Sequence, residues 1–226
     1  MHSTPADLIA TEIAAVGELT RQAAERYEGI YHSLRQTLTD ELAHTSEPAD
    51  RALAVMTIAD AAAAAFAARF PNQPTTDCRP GCDACCHLYV MIPPGVAEAI
   101  GAYLVKHLAS SALAELKLEL ERAASAAEAA ADPTILRRRC PLLGVDGRCT
   151  IYAVRPLTCR AFTSRSAAAC HHLAFGPNGA ATTISQNPSQ FRVYIEATKA
   201  LEQAALAHGQ PTQQVELAKG LLAALG

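Results

Sequence analysis

Eight cysteines constrain this chain more than anything else in it, because they are confined to two segments that the fold has to reconcile. They are Cys78, Cys82, Cys85, Cys86, Cys140, Cys149, Cys159 and Cys170. Four fall within the nine residues Cys78–Cys86. Cys-x-x-Cys spacing turns two thiolates back onto one ion while the intervening loop offers backbone N–H groups to sulfur. Cys82-Asp83-Ala84-Cys85 is such a unit, and Pro80-Gly81 supplies the turn before it. Cys85 and Cys86 are adjacent, and neighbouring side chains diverge. The pair therefore serves two metals, or one member points away as a free or redox-active thiol. In the second segment, Val145-Asp146-Gly147 has turn chemistry and should return Cys149 towards Cys140. Cys159 follows Pro156 by three residues and is expected in the first turn of a short helix. The free N–H groups and dipole there favour a thiolate, which suits a ligand and a nucleophile equally.

Charge divides the chain in the same way. Residues 77–90 and 137–172 hold eight Arg against three Asp, a net of +5, within a chain whose net charge is -3. Guanidinium groups can offset thiolate charge beyond what one divalent ion neutralises. Arg137, Arg138 and Arg139 immediately precede Cys140, although a solvated charged face would look the same. Arg155 and Arg160 are expected to orient loops and balance charge. His87, His171 and His172 follow cysteines directly and could donate nitrogen, with surface or packing roles as the alternative. His2, His32, His44, His107 and His208 lie away from the Cys segments and read as structural. Tyr152 reads as a core residue or one with its hydroxyl turned to a neighbour.

The remaining sequence specifies the shell. Ala supplies 48 of the 226 residues, so the apolar fraction of 50% overstates the large side chains; aromatics are 5% and Trp is absent. Ala forms helix well and fills a core poorly. A β-sandwich or barrel would need more Val, Ile, Thr and aromatics. The expected fold is mainly α: a helical bundle or shell around two Cys-rich loop segments that form a metal site, with little or no β. Apolar residues at steps of three and four predict a helix over 6–44, through Leu8, Ile9, Ile13, Val16, Leu19, Tyr27, Ile30, Leu34, Leu38 and Leu42. Gly29 is a candidate break in it. A second helix over 49–70 carries Leu53, Met56, Ala59, Ala63, Phe66 and Phe70. The two form an antiparallel hairpin, read as scaffold or dimerisation surface. Helices are expected over 94–109, 111–131, 189–208 and 212–225, with a polar loop at 176–189. Short β-bridges are plausible only near Leu88–Ile92 and Thr150–Tyr152. Three segments result: an N-terminal hairpin (1–70), a cysteine-cluster domain (71–175) and a C-terminal helical segment (176–226), which together can make one domain.

The cysteine segments resemble a known family, the CxxCxxCC zinc- or iron-chelating domain, also called the YkgJ-type cysteine-cluster proteins. The likeness covers roughly 78–165. It rests on the Cys85-Cys86 pair after a spaced Cys, on Cys140-Pro141-Leu142-Leu143, on Gly147-Arg148-Cys149-Thr150-Ile151-Tyr152, and on Arg155-Pro156-Leu157-Thr158-Cys159-Arg160. The resemblance implies Cys82, Cys85, Cys86, Cys140, Cys149 and Cys159 as metal ligands, together with Cys78. One departure is that three residues, rather than two, separate Cys78 from Cys82. Cys170 lies beyond the shared blocks and stands as an eighth candidate. The implied cofactor is zinc or iron, with an iron–sulfur cluster as one form of the latter.

Three functions follow. The first is a metal-binding protein in which seven or eight thiolates hold two Zn²⁺ or one iron–sulfur cluster with spare thiols. The second is a redox or catalytic protein using Cys85, Cys86 or Cys159. The third is an interaction module whose metal only staples the loops while the N-terminal helices recruit a protein partner or a second copy. Phosphate-cradling, dinucleotide-binding, nucleophile-elbow and zinc-deaminase motifs do not occur. The mild negative charge gives no sign of a nucleic-acid partner. Without a basic n-region before an apolar run, or about 18 uninterrupted apolar residues, no signal peptide, membrane span or membrane partner is expected. The expected compartment is the cytoplasm, where clustered Cys point to metal or redox chemistry.

Overall fold

A computed structural model describes residues 5–177 and 181–226 of the chain. His2, the Leu8 side chain and positions 178–180 of the expected polar loop lie outside the described residues. Eight helices are described: α1 (Pro5–Ala43), α2 (Pro48–Arg69), α3 (Val96–His107), α4 (Ser110–Ala129), α5 (Leu157–Ala161), α6 (Ala167–Phe175), α7 (Pro188–Ala207) and α8 (Leu217–Leu225). Single 3-10 turns occupy Ala84–His87, Pro133–Ile135 and Tyr152–Val154. The mainly helical expectation holds.

Helix α1 runs through Gly29 without interruption, so the candidate break is not one. Its C-terminal half buries Tyr31, Leu34, Leu38 and Leu42 against α2 and α7. Tyr27 stacks on Phe66 and Phe70 of α2 at 5.2 and 4.7 Å between ring centres. Within α2 the expected stripe is only partly right: Met56, Ala59 and Phe66 are buried, whereas Leu53 is exposed. Pro48 opens that helix, as suits a residue with no N–H to leave unpaired. By length and composition α2 is long and apolar enough to cross a membrane; the sequence expectation set its Ala54–Ala68 stretch aside because Asp60 interrupts it and most of it is Ala. Its apolarity comes mainly from Ala, and it buries Arg51, Ala52, Val55, Met56, Ala59 and Phe66.

Gly95 shows how closely the α2 and α3 starts approach. Its φ is +81°, and a Cβ there would lie 2.2 Å from the Pro48 carbonyl oxygen, so this turn requires glycine. Helix α3 then packs on α2 and on α8, and α4 closes over α8. One buried cluster contains residues from all three sequence segments, from Tyr31 and Val55 through Ile100, Ile151 and Leu157 to Leu201 and Leu221.

The strand content is small and partly elsewhere than expected. β1 (Met91–Ile92) lies where a bridge was foreseen and pairs antiparallel with β2 (Val215–Glu216), Met91 opposite Glu216. The expected helix over 212–225 therefore starts only at Leu217, where the Glu216 side chain accepts from the Lys219 N–H and caps it. Near Thr150–Tyr152 the chain forms a 3-10 turn rather than a strand. The bridge there joins Leu143 to Cys149.

Candidate metal centre

The two cysteine segments are stitched together through their backbones. The Cys140 N–H donates to the Cys86 carbonyl at 2.7 Å, and the Arg138 N–H to the His87 carbonyl at 3.0 Å. Before this junction, Gly81 turns the chain at φ +84°, and the Cys82 N–H donates to the Arg79 carbonyl at 3.0 Å. The turn over Ala84–His87 then presents Cys85 and Cys86. In the second segment Gly147, at φ +73°, makes the turn that the sequence foresaw. The Leu143–Cys149 bridge and the Thr150 N–H donating to the Leu142 carbonyl at 2.9 Å return Cys149 beside Cys140. Cys159 lies in the first turn of α5, as expected. The Thr158 hydroxyl donates to the Met91 carbonyl at 2.7 Å, which ties α5 to the strand after the first segment.

Five of the eight cysteines meet at one cavity of about 130 Å³: Cys85, Cys86, Cys140, Cys149 and Cys159. His87 and Arg155 share its wall, and Leu120, Ala123 and Leu217 make part of its apolar side. Cys78, Cys82 and Cys170 do not line it. Cys78 is exposed, and its sulfur accepts from the Ser164 N–H at 3.4 Å. Cys170 is buried in a small separate cluster with Ala84 and Ala174. Burial first, with the Cys78 and Cys82 thiols adding to it, raises the Cys170 pKa. His171 and His172 are exposed on α6. His87 is the one histidine of the three at the cavity, its Nδ1 3.2 Å from the Asp83 carbonyl oxygen.

The five thiols differ in their electrostatics. The Cys86 thiol donates to Cys85 and, with Arg155 nearby, holds the Cys85 pKa down at about 6 against the opposing cost of burial. Cys86, as that donor and itself buried, is raised. Burial lifts Cys140 to about 11 and Cys159 to about 12, and it raises Cys149. Backbone hydrogen bonding from Leu142 and from Ile151 offsets part of that burial at Cys140 and Cys149. Such bonds favour the thiolate over the thiol. Arg155 donates to the Cys85 sulfur at 3.8 Å. Burial lowers its own pKa, but the thiols at 159, 85, 86 and 149 outweigh that and raise it.

Among the described residues no three His, Cys, Asp or Glu side chains form a group that could hold an ion outright. The five thiols ring a space rather than converge on a point. The donor set nevertheless fits a soft cation. Thiolate sulfur is the preferred ligand of zinc and of iron–sulfur centres. The burial that penalises a lone thiolate strengthens its attraction to a cation.

Most of the local Arg excess serves the loops rather than the sulfurs. Arg137 donates to the Leu173, Thr134 and Leu136 carbonyls, and Arg139 to those of Leu143 and Gly144. Arg155 alone among the eight contacts a cavity sulfur in the described structure. Arg160 bonds the Arg155 and Ala153 carbonyls and pairs with Asp60. Tyr152 is 69% exposed rather than a core residue. Asp60 escaped the sequence reading. It accepts from the Tyr194 hydroxyl at 2.8 Å and from Arg160, linking α2, α5 and α7 behind Cys159. Its signal was a lone acid beside the buried Ala59 in an Ala-rich helix.

Residues 77–187 match the family model described as "CxxCxxCC: Putative zinc- or iron-chelating domain". That segment is similar to this family, whose description is one of metal chelation, and it includes every cysteine of both clusters. No curated protein and no solved structure matched the chain.

Proposed function

We propose that this protein binds zinc or iron through the thiolates of Cys85, Cys86, Cys140, Cys149 and Cys159, held in a helical shell. The observation that carries the reading is the meeting of five thiols from both cysteine segments at one cavity. One tetrahedral Zn²⁺ takes four thiolates, and a cluster likewise takes four, so one of the five is left over. Four thiolates on a divalent ion leave a charge of −2, and Arg155 is placed to offset part of it. His87 is an alternative nitrogen donor at the same wall. Cys78, Cys82 and Cys170 stand outside this set. The thiols would remain reduced in a compartment such as the cytoplasm.

A second reading rests on the low pKa of Cys85. A thiolate present at neutral pH beside a guanidinium is equipped for redox or nucleophilic chemistry, with the metal held by the other four. The metal-binding reading is tested on the full chain purified without oxygen, by elemental analysis and its visible spectrum, and the Cys85 reading by its alkylation across pH. Stoichiometric zinc, or iron with sulfide and broad absorption near roughly 400 nm, supports metal binding. Protein that holds neither, takes up neither on reconstitution and titrates all its thiols freely overturns it.

A further inference from the structure

The first half of α1 projects beyond the core: every residue from 11 to 26 is exposed. Ile9, Ile13, Val16 and Leu19 are 59–67% exposed, although large aliphatic residues on successive turns of a helix ordinarily face a partner. Their phase is informative. At about 100° per residue, Ile9, Ile13 and Val16 lie within about 40° of the line through Tyr27, Leu34 and Leu38, which is the face that α1 buries in its own core. The face continues past the last turn of α2, which ends at Arg69, and nothing described covers it there.

We propose that a second copy of this chain covers it, through antiparallel pairing of the two α1 projections. Apolar and small residues step by four and three through Ile9, Ile13, Val16, Thr20, Ala23 and Tyr27, the 3.5-residue repeat of a two-helix seam. One edge of the seam carries Glu12, Leu19 and Arg26 at intervals of seven. In an antiparallel pair this edge meets the same edge of the partner. Leu19 then lies against its own copy on the dyad, and Glu12 faces the second copy's Arg26 at both ends. A parallel pair in register would bring no such pairing of opposite charges. Among the described residues neither Glu12 nor Arg26 has an ion-pair partner within its own chain. Gly17, beside which a Cβ would meet nothing within 4 Å, lies on the opposite edge near the dyad and lets the helices approach closely.

Residues 11–26 span roughly 23 Å of helix, and all of them are exposed, which leaves that length of α1 open to a second helix. The four aliphatic residues alone expose roughly 1,000 Å² over two copies, at the lower bound for a specific interface before the flanking side chains are added.

The test is the mass of the full chain in solution, by sedimentation or light scattering, for wild type and two charge reversals. Wild type should be a dimer in the micromolar range. Glu12→Arg alone and Arg26→Glu alone should each weaken the dimer roughly ten- to thirtyfold, since each reversal turns two attractive contacts into repulsive ones. An equimolar mixture of the two variants should dimerise again, because one copy then offers Arg at both positions and the other Glu. A damaged fold would not recover on mixing. Monomeric wild type at 100 µM or so overturns the proposal, as does a dimer indifferent to both reversals or single variants that mixing does not rescue.

Discussion

Replacing Cys86 by Ala should raise the pH at which Cys85 becomes reactive, and by more than replacing Arg155 by Met. Cys85 is held at about 6 first by the thiol hydrogen bond from Cys86 and then by the positive charge of Arg155, both against burial. A hydrogen bond to a charged acceptor contributes about 1.5–3 kcal/mol, equivalent to about 1–2 pKa units. The guanidinium is 3.8 Å from the sulfur. At that separation one charge pair is worth between about 1 kcal/mol under water-like screening and about 4 kcal/mol at an effective dielectric of ~20. The site is only partly enclosed and the guanidinium is shared with three other thiols, so about one unit falls to Arg155. A lowered thiol pKa means that the nucleophile is present above about 6 and is lost as pH falls through that value. The assay is alkylation of the metal-free, reduced protein with limiting iodoacetamide across pH, with Cys85 followed by peptide mass spectrometry. The wild-type midpoint should lie near 6, that of Arg155→Met near ~7, and that of Cys86→Ala at ~7–8. A wild-type midpoint in the ordinary thiol range, or a Cys86→Ala midpoint equal to that of wild type, would refute the assignment.

Other consequences concern the frame around the site. Asp60→Ala removes the carboxylate that Arg160 and Tyr194 share behind Cys159. Since Asp60 is partly exposed, the loss should be about 1–2 kcal/mol by chemical denaturation, with weaker metal retention; a change below about 0.5 kcal/mol would show that the linkage contributes little. Gly95→Ala forces a side chain against the Pro48 carbonyl at a left-handed backbone position and should lower stability by about 2 kcal/mol or more. Unaltered thermal unfolding would mean that the α2–α3 approach is looser than described. Thr158→Val removes the hydroxyl bond to Met91 and should cost about 1 kcal/mol, with unfolding midpoints as the readout.

The sequence conveyed the helices well because their signal is local. The three-and-four spacing in 6–44 is a property of a few neighbouring residues. The turns at Gly81 and Gly147 and the position of Cys159 in a first helical turn were legible for the same reason. Which cysteines meet was not legible, since that depends on the backbone bonds from Cys140 to Cys86 and from Arg138 to His87, made across some fifty residues. Spacing put Cys82 with Cys85, whereas the fold sends Cys85 to the cavity and leaves Cys82 outside it. Likewise β2 was hidden inside an apolar run that reads as helix. Its two residues are strand only because β1 lies alongside. Periodicity found the α1 stripe but could not say that half of it would outrun α2.

Metal content of cysteine variants tests the central claim most directly. The full chain, with Cys→Ser substitutions made singly, is purified without oxygen, and zinc and iron per chain are counted by mass spectrometry beside a circular dichroism check of helix content. Cys140→Ser and Cys149→Ser should lose most of the metal, because each removes a cavity thiolate, whereas Cys78→Ser and Cys170→Ser should retain it. Full metal in both cavity variants, or loss confined to the variants at Cys78 and Cys170, would contradict the assignment of the site to the five-thiol cavity.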